Sequence, residues 1–220
     1  MAFDRERYLQ PGELCDFDRS PEIGLKAQEL IAGSRKRLET FESIFGFVKE
    51  MPYGLEDWDL KASDILRKGW GMCSGKTNLL VAMLRSAGIP ARYRVYKIKA
   101  DSKLWNKLGE GNKNTGRLSE LGDERDHVDC EVWLGKWMDC DPGRDSAMER
   151  GIVRLGGTLQ RQVVTDSRGR AQYLRLASLD RWAKERQARR AFRSDRVDVF
   201  SEANRGIEKL RELGRIDVLS

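Results

Sequence analysis

Histidine is all but missing from this chain: among 220 residues only His127 carries an imidazole. The four cysteines, Cys15, Cys73, Cys130 and Cys140, form no CxxC pair. With a single histidine to help them they lack the ligand spacing of a zinc site, so neither a metal nor a cofactor is expected. No apolar run approaches the roughly 20 residues that span a bilayer, which argues against a membrane partner. The opening MAFDRERYLQPGELCDFDRS has no apolar stretch behind a positive start, so it is not read as a signal peptide. Scattered cysteines without a secretion signal fit free thiols in a reducing compartment, and the expected location is cytoplasmic. The string SGKT lacks the glycine that a phosphate-binding loop needs five residues before its Gly-Lys pair; Trp70 stands there instead.

What is present describes an ordinary globular chain. Hydrophobic residues make up 40% and charged residues 35%, with a mean hydropathy of −0.62, enough for one substantial core but short for two enzyme domains. The expected organisation is a catalytic domain over residues 1–177 and a basic helical extension over 178–220. The net charge of +6 is concentrated in residues 181–196 of that extension, where Arg181, Lys184, Arg186, Arg189, Arg190, Arg193 and Arg196 face only Glu185 and Asp195. Basic runs on helices are usually solvated faces, and this one has only Trp182 and Phe192 as aromatics, so nucleic acid is not the expected partner. A binding protein that uses this helix on nucleic acid or an acidic partner is the alternative reading.

Ser20-Pro21 predicts a helix running from Pro21 to Ala32. Ser34 can cap a second, with Leu38, Phe41, Ile44, Phe45 and Val48 as its buried stripe. Ser63 can cap a short helix closing at Gly69. From Ser74 to Ala87 almost no polar face remains, as expected of a helix surrounded by protein, and Gly88-Ile89-Pro90 ends it. ARYRVYKIK alternates as a strand. Residues 100–126, with few apolar anchors, are expected to form a flap. His127–Leu134 and Trp137–Asp141 read as a hairpin about Gly135-Lys136, and TLQRQVV with AQYLRLA as a second. The last 40 residues read as helical, with Ser178 as a cap and Ala203, Ile207, Leu210 and Leu213 on the apolar side.

Cys73 falls at the first turn of the buried helix, where free N–H groups and the helix dipole stabilise negative charge on sulfur. Gly69, Gly71 and Gly75 around it suit a place where a substrate backbone comes close. Against this stands the plain reading of Cys73 as a small buried hydrophobe. A thiol nucleophile needs a base, and His127 is the one candidate in the sequence; a packed structural histidine is the competing reading.

GMC at the start of the helix, LRSAGIPAR at its end, and His127, Glu131, Gly135, Trp137 and Asp141-Pro142 downstream resemble the transglutaminase-like superfamily over about residues 62–142. The resemblance implies an α+β, papain-like fold, with a central helix bearing the nucleophile on an antiparallel sheet and helical extensions at both ends. It implies a triad of Cys73, His127 and Asp141 that attacks a carboxamide or peptide bond of a peptide or protein through a thioester, followed by hydrolysis or acyl transfer. The oxyanion would be held in part by the Cys73 N–H, with Tyr53, Trp58 and Trp70 as candidate second donors. Asp129 stands where the family often has an aromatic, and Asp139 is an alternative orienting acid.

Strand parity tests that triad. His127, Asp129, Glu131 and Trp133 share a face, and a simple two-residue turn at Gly135-Lys136 would put Asp139 and Asp141 on the other. An odd-length loop is therefore required, for example residues 135–137 with Gly135 left-handed, which sets Asp141 level with Glu131. Of the four thiols Cys73 is expected to react first with iodoacetamide at neutral pH, because it alone is placed at a helix N-terminus beside an imidazole. Faster labelling of Cys15 or Cys130, read by peptide mass mapping of the folded protein, would refute the assignment.

Overall fold

A computed structural model describes residues 4–100, 104, 124–191 and 196–216. The elements are α1 (Pro21–Ile31), α2 (Arg37–Glu50), α3 (Ala62–Lys68), α4 (Cys73–Ser86), β1 (Ala91–Lys99), β2 (Glu124–Trp133), β3 (Trp137–Cys140), α5 (Ser146–Arg154), β4 (Leu174–Leu176), α6 (Asp180–Ala191) and α7 (Arg196–Arg215). The strands form one antiparallel sheet in the order β3-β2-β1-β4, so the expected α+β class is what the chain adopts.

Helix α4 is the centre. Leu79, Leu80, Val81, Ala82, Met83 and Leu84 are all fully buried, each larger side chain contributing about 1.5–3 kcal/mol by leaving water. Helices α1, α2 and α3 pack around α4, and so do β1 and β2. Ala91, Tyr93 and Val95 of β1 lie opposite Val132, Cys130 and Val128 of β2, and all six belong to the same apolar core as α4. Thr77 Oγ1 donates to the Val128 carbonyl at 3.2 Å, which ties the helix to the strand just past His127. The helix ends with Ile89 N–H donating to the Leu84 carbonyl at 2.9 Å, after which Pro90 cannot continue it.

Alternation puts polar side chains on the other face of the sheet. There Arg92, Arg94 and Tyr96 stand level with Glu131, Asp129 and His127. The β2–β3 register pairs Trp133 with Trp137 and Glu131 with Asp139, leaving a three-residue loop, Leu134 to Lys136, with Gly135 at φ 93°. The odd loop length and left-handed glycine match expectation. The loop begins one residue earlier than proposed, because Trp133 and Trp137 pack edge to face at 5.5 Å, and Glu131 is thus level with Asp139 rather than Asp141.

Other expectations need correction. Helix α2 begins three residues past Ser34, and the Glu39 carboxylate accepts from the Arg35 and Lys36 N–H groups at 2.8 and 3.2 Å, the role that Ser34 was expected to share. Leu38 is 49% exposed and outside the stripe. Ser63 lies inside α3 and bonds Asp16. The second hairpin keeps its turn at Asp166 to Gly169 but shrinks to the Thr165–Ala171 bridge, while its arms pair with β1 instead, through Ile98–Val163 and β4. Most of the flap over residues 100–126 lies outside the described residues; Leu104 is buried, and Glu124 to Asp126 begin β2.

Helix α5 was not anticipated. Asp145 caps it, accepting from the Met148 N–H at 2.9 Å, and Met148 and Ile152 join Leu104, Ile207 and Leu210 in a second small core. Helices α5 and α7 touch backbone to backbone. A Cβ on Gly151 would stand 1.9 Å from the Leu210 carbonyl oxygen, and one on Gly214 1.8 Å from that of Ala147. Gly151→Ala is accordingly expected to destabilise the protein by about 1–3 kcal/mol through overpacking, seen as a lower urea midpoint at unchanged m value; an unaltered midpoint would show that the two helices can separate freely.

Candidate active site

Cys73 is the first residue of α4 and 3% exposed. Its approach is fixed from several sides. Met72 N–H donates to Glu56 Oε1 at 2.7 Å, and the second Glu56 oxygen pairs with Lys68. Gly71 donates to the Pro52 carbonyl at 3.1 Å and accepts from Gly54 N–H at 3.2 Å, so residues 52–54 run alongside the chain leading into the helix. Met72 provides no side-chain cap, which leaves the first-turn N–H groups of α4 without a side-chain acceptor from that residue.

His127 is 3% exposed on β2. Its Nε2 lies 3.0 Å from Asp141 Oδ2, and the Cys73 thiol is near enough to the ring to raise its pKa. Tyr96, level with His127 across the strand pair, meets the imidazole edge to face at 5.2 Å. Burial and the Arg161 charge push the His127 pKa down, but the Asp141 carboxylate, its hydrogen bond to the ring and the nearby Cys73 thiol outweigh them, and the net shift is upward from 6.5. The carboxyl of Asp141 is opposed by burial but held well below the ordinary carboxylate range by His127 and Arg161.

Asp141 accepts three hydrogen bonds. Oδ1 takes the Gly143 N–H at 2.8 Å. Oδ2 is shared between His127 and Arg161, whose Nε lies 2.5 Å away. The other two acids face elsewhere: Asp139 pairs with Arg94 and is 60% exposed, while Asp129 is fully buried and accepts from Arg94 Nε and Nη2 at 2.8 Å and from the Tyr96 hydroxyl at 2.9 Å. An aromatic does flank the histidine, but from β1 rather than from position 129. His127, Asp129 and Asp141 each offer one ligand atom within 4.8 Å of the others. A divalent cation there would meet the guanidinium groups of Arg94 and Arg161, which already neutralise both carboxylates.

Among the candidate second donors, Tyr53 is the one beside the thiol. Burial, then the charge of Cys73, pushes its phenol pKa up, so it keeps its proton. Trp58 is buried edge to face with Trp182 at 5.2 Å, and the Trp70 ring lies against Gly54 and Lys68. The backbone of Tyr53 is pinned by residues that sequence reasoning missed. Asp145 Oδ2 accepts the Tyr53 N–H at 3.0 Å and Arg211 Nε at 2.9 Å, and Arg211 donates to the Tyr53 carbonyl. Lys76 was missed as well. Fully buried one turn past Cys73, its Nζ donates to the carbonyls of Lys49, Met51 and Gly143 at 3.0, 2.6 and 3.0 Å. The one hint in the sequence was a lysine on a helix with no polar face.

A sequence profile of the transglutaminase-like superfamily matches residues 26–142. A search of curated proteins finds no match. Among solved structures, a candidate cysteine protease from Cytophaga hutchinsonii shares 16% identity at a TM-score of 0.46, over 79% of this chain and 54% of its own. A candidate protease from Parabacteroides distasonis ATCC 8503 shares 18% at 0.39, over 59% of this chain and 26% of its own. The chain thus spans about half or less of the length of these neighbours.

The electrostatics of His127 give a test that its uniqueness makes easy to read. With a folded pKa above 6.5, protonated His127 stabilises the fold at pH below 6.5, and that contribution is lost as pH rises through the folded value. In Asp141→Asn the attraction disappears while burial and Arg161 remain, so the pKa is expected to fall and the pH dependence to reverse sign. NMR titration of the single imidazole in both proteins checks this; a value unmoved by the substitution would mean that Asp141 does not govern the ring.

Proposed function

Since the chain belongs to the transglutaminase-like superfamily, we propose that it is a cysteine enzyme acting on the carboxamide or peptide bonds of peptides or proteins. The observation that carries this reading is the His127–Asp141 pair, 3.0 Å apart, with the Cys73 thiol acting on the same ring from the N-terminus of a buried helix.

In this reading His127 takes the thiol proton and Asp141 stabilises the imidazolium and fixes its ring. The thiolate attacks the carbonyl carbon, and the tetrahedral oxyanion is met by the Cys73 N–H and the Tyr53 hydroxyl. Protonation of the leaving amine by His127 completes the thioester, which water or a primary amine then resolves. Both acceptors use the same acyl-enzyme, so their relative access to the thioester determines the product.

Parts of the basic extension are already engaged: Arg181 pairs with Glu185, Lys184 with Glu13 and Arg186 with Asp126. No specific observation favours a nucleic-acid partner for it.

Incubation with carboxamide-bearing peptide libraries, with and without a primary amine, followed by mass spectrometry, tests the proposal. An acyl adduct on Cys73 is expected, with cleavage or deamidation in water and amine adducts when amine is present. Cys73→Ser should lower turnover by at least ~10³-fold. Turnover that survives this substitution would remove the basis of the reading.

A further inference from the structure

Next to the Asp141 carboxylate the structure gathers more positive charge than that carboxylate can absorb. Arg161 comes from residues 158–163, a segment fastened to the end of β1 by Lys99 N–H donating to the Gln162 carbonyl at 2.8 Å and Val164 N–H donating to that of Lys97 at 2.9 Å. Its Nε is used by Asp141, and its Nη2 would lie 3.0 Å from a Cβ on Gly143. The side chain is 15% exposed. Arg144, three residues past Asp141, is half-buried and donates Nη1 to the Leu159 carbonyl at 3.1 Å. Among the described residues no carboxylate lies within ion-pair range of Arg144. Burial, and after it the charge of Arg161, work against the Arg144 cation, with Asp141, Tyr53 and Glu149 only partly offsetting them.

The same segment walls a cavity of about 470 Å³, lined by Thr158, Gln160, Arg161, Gln162 and Val163. That lies within the usual range for small-molecule sites, roughly 300–1,000 Å³. Leu159, whose carbonyl accepts from Arg144, lies in sequence between two of these lining residues, Thr158 and Gln160. A guanidinium held half out of water with no carboxylate in ion-pair range among the described residues is costly, and an anion arriving from outside would relieve that cost.

We propose that Arg144 and Arg161 form an anion subsite beside the reacting centre that takes a carboxylate of the substrate, so that the acyl donors are acidic peptides. Arg144 supplies the unneutralised charge and the directional N–H groups; Arg161 adds positive potential while its Nε stays on Asp141. The assignment rests on Cys73, His127 and Asp141 being the reacting centre, and the subsite is what selects among carboxamide substrates there.

Binding separates the subsite from the chemistry. The probes are fluorescein-labelled hexapeptides of alanine and glycine in which a single Glu is moved through each position, each matched by the same peptide with Gln. With Cys73→Ser as the receptor, fluorescence anisotropy should show at least ~10-fold tighter binding of Glu over Gln at one position or more. Arg144→Gln in that background should abolish the difference and leave the Gln peptides within about 2-fold; Arg144→Lys, which keeps the charge and guards against a folding defect, should retain part of it. No preference for Glu at any position, or a preference that survives Arg144→Gln, overturns the subsite. Acylation of Cys73 in the wild-type protein is scored separately: Glu-selective binding without adducts would sink the catalytic reading and leave the subsite standing.

Discussion

A single ammonium group joins the three pieces of chain on which the site is built. Lys76 lies one helical turn beyond Cys73, out of reach of water, and its three protons match three backbone carbonyls: two from the end of α2, at Lys49 and Met51, and one from Gly143 in the turn that carries Asp141. Burial pushes the amine down to about 7, while three acceptors converging on one nitrogen are the geometry of the protonated form. The ammonium therefore registers the helix that begins at Cys73 against both the segment that leads to Tyr53 and the turn that carries Asp141. A neutral side chain of the same length would leave three buried carbonyls without donors, each a loss of about 1–3 kcal/mol.

The acid itself answers to two bases. His127 and Arg161 compete for the same Asp141 oxygen, and their effects on the imidazole are opposite: the carboxylate favours its charged form, the guanidinium disfavours it. Arg161 thus moderates a pairing that would otherwise hold the proton more firmly. Beneath them Asp129, gripped by Arg94 and Tyr96, stiffens the polar face of the sheet from which His127 projects.

The elements fixed by local rules were legible in the sequence. The boundaries of β1 and the continuous burial of α4 follow from periodicity, and strand parity together with the expected triad required the odd-length loop at Gly135 that puts Asp141 on the histidine's face. What escaped were groups whose meaning depends on a distant partner. Arg161, Asp145 and Arg211 read in sequence as ordinary surface charges and Lys76 as a charge on a helix without a polar face, and nothing local to any of them names the carbonyl or carboxylate it meets. Helix α5 was missed because its apolar side is completed by α7, some fifty residues later. Ser34 and Ser63 show the converse: a residue type suited to capping is not a cap when another acceptor, Glu39 or Asp16, shapes the local backbone first.

The knot of Tyr53, Asp145 and Arg211 also bears on the order in which the molecule can be assembled. Its bonds join residues 92, 66 and 158 positions apart, so it is among the least local features of a chain whose core helix and first hairpin are built from near neighbours. Closing loops of that size has an entropic cost that the packing of α5 on α7 and the Asn204–Leu55 hydrogen bonds help to offset. During synthesis from the N-terminus, the sheet and α4 can form while Arg211 is still to be made. A nascent chain would thus hold its thiol and imidazole well before the backbone of Tyr53 is locked beside them.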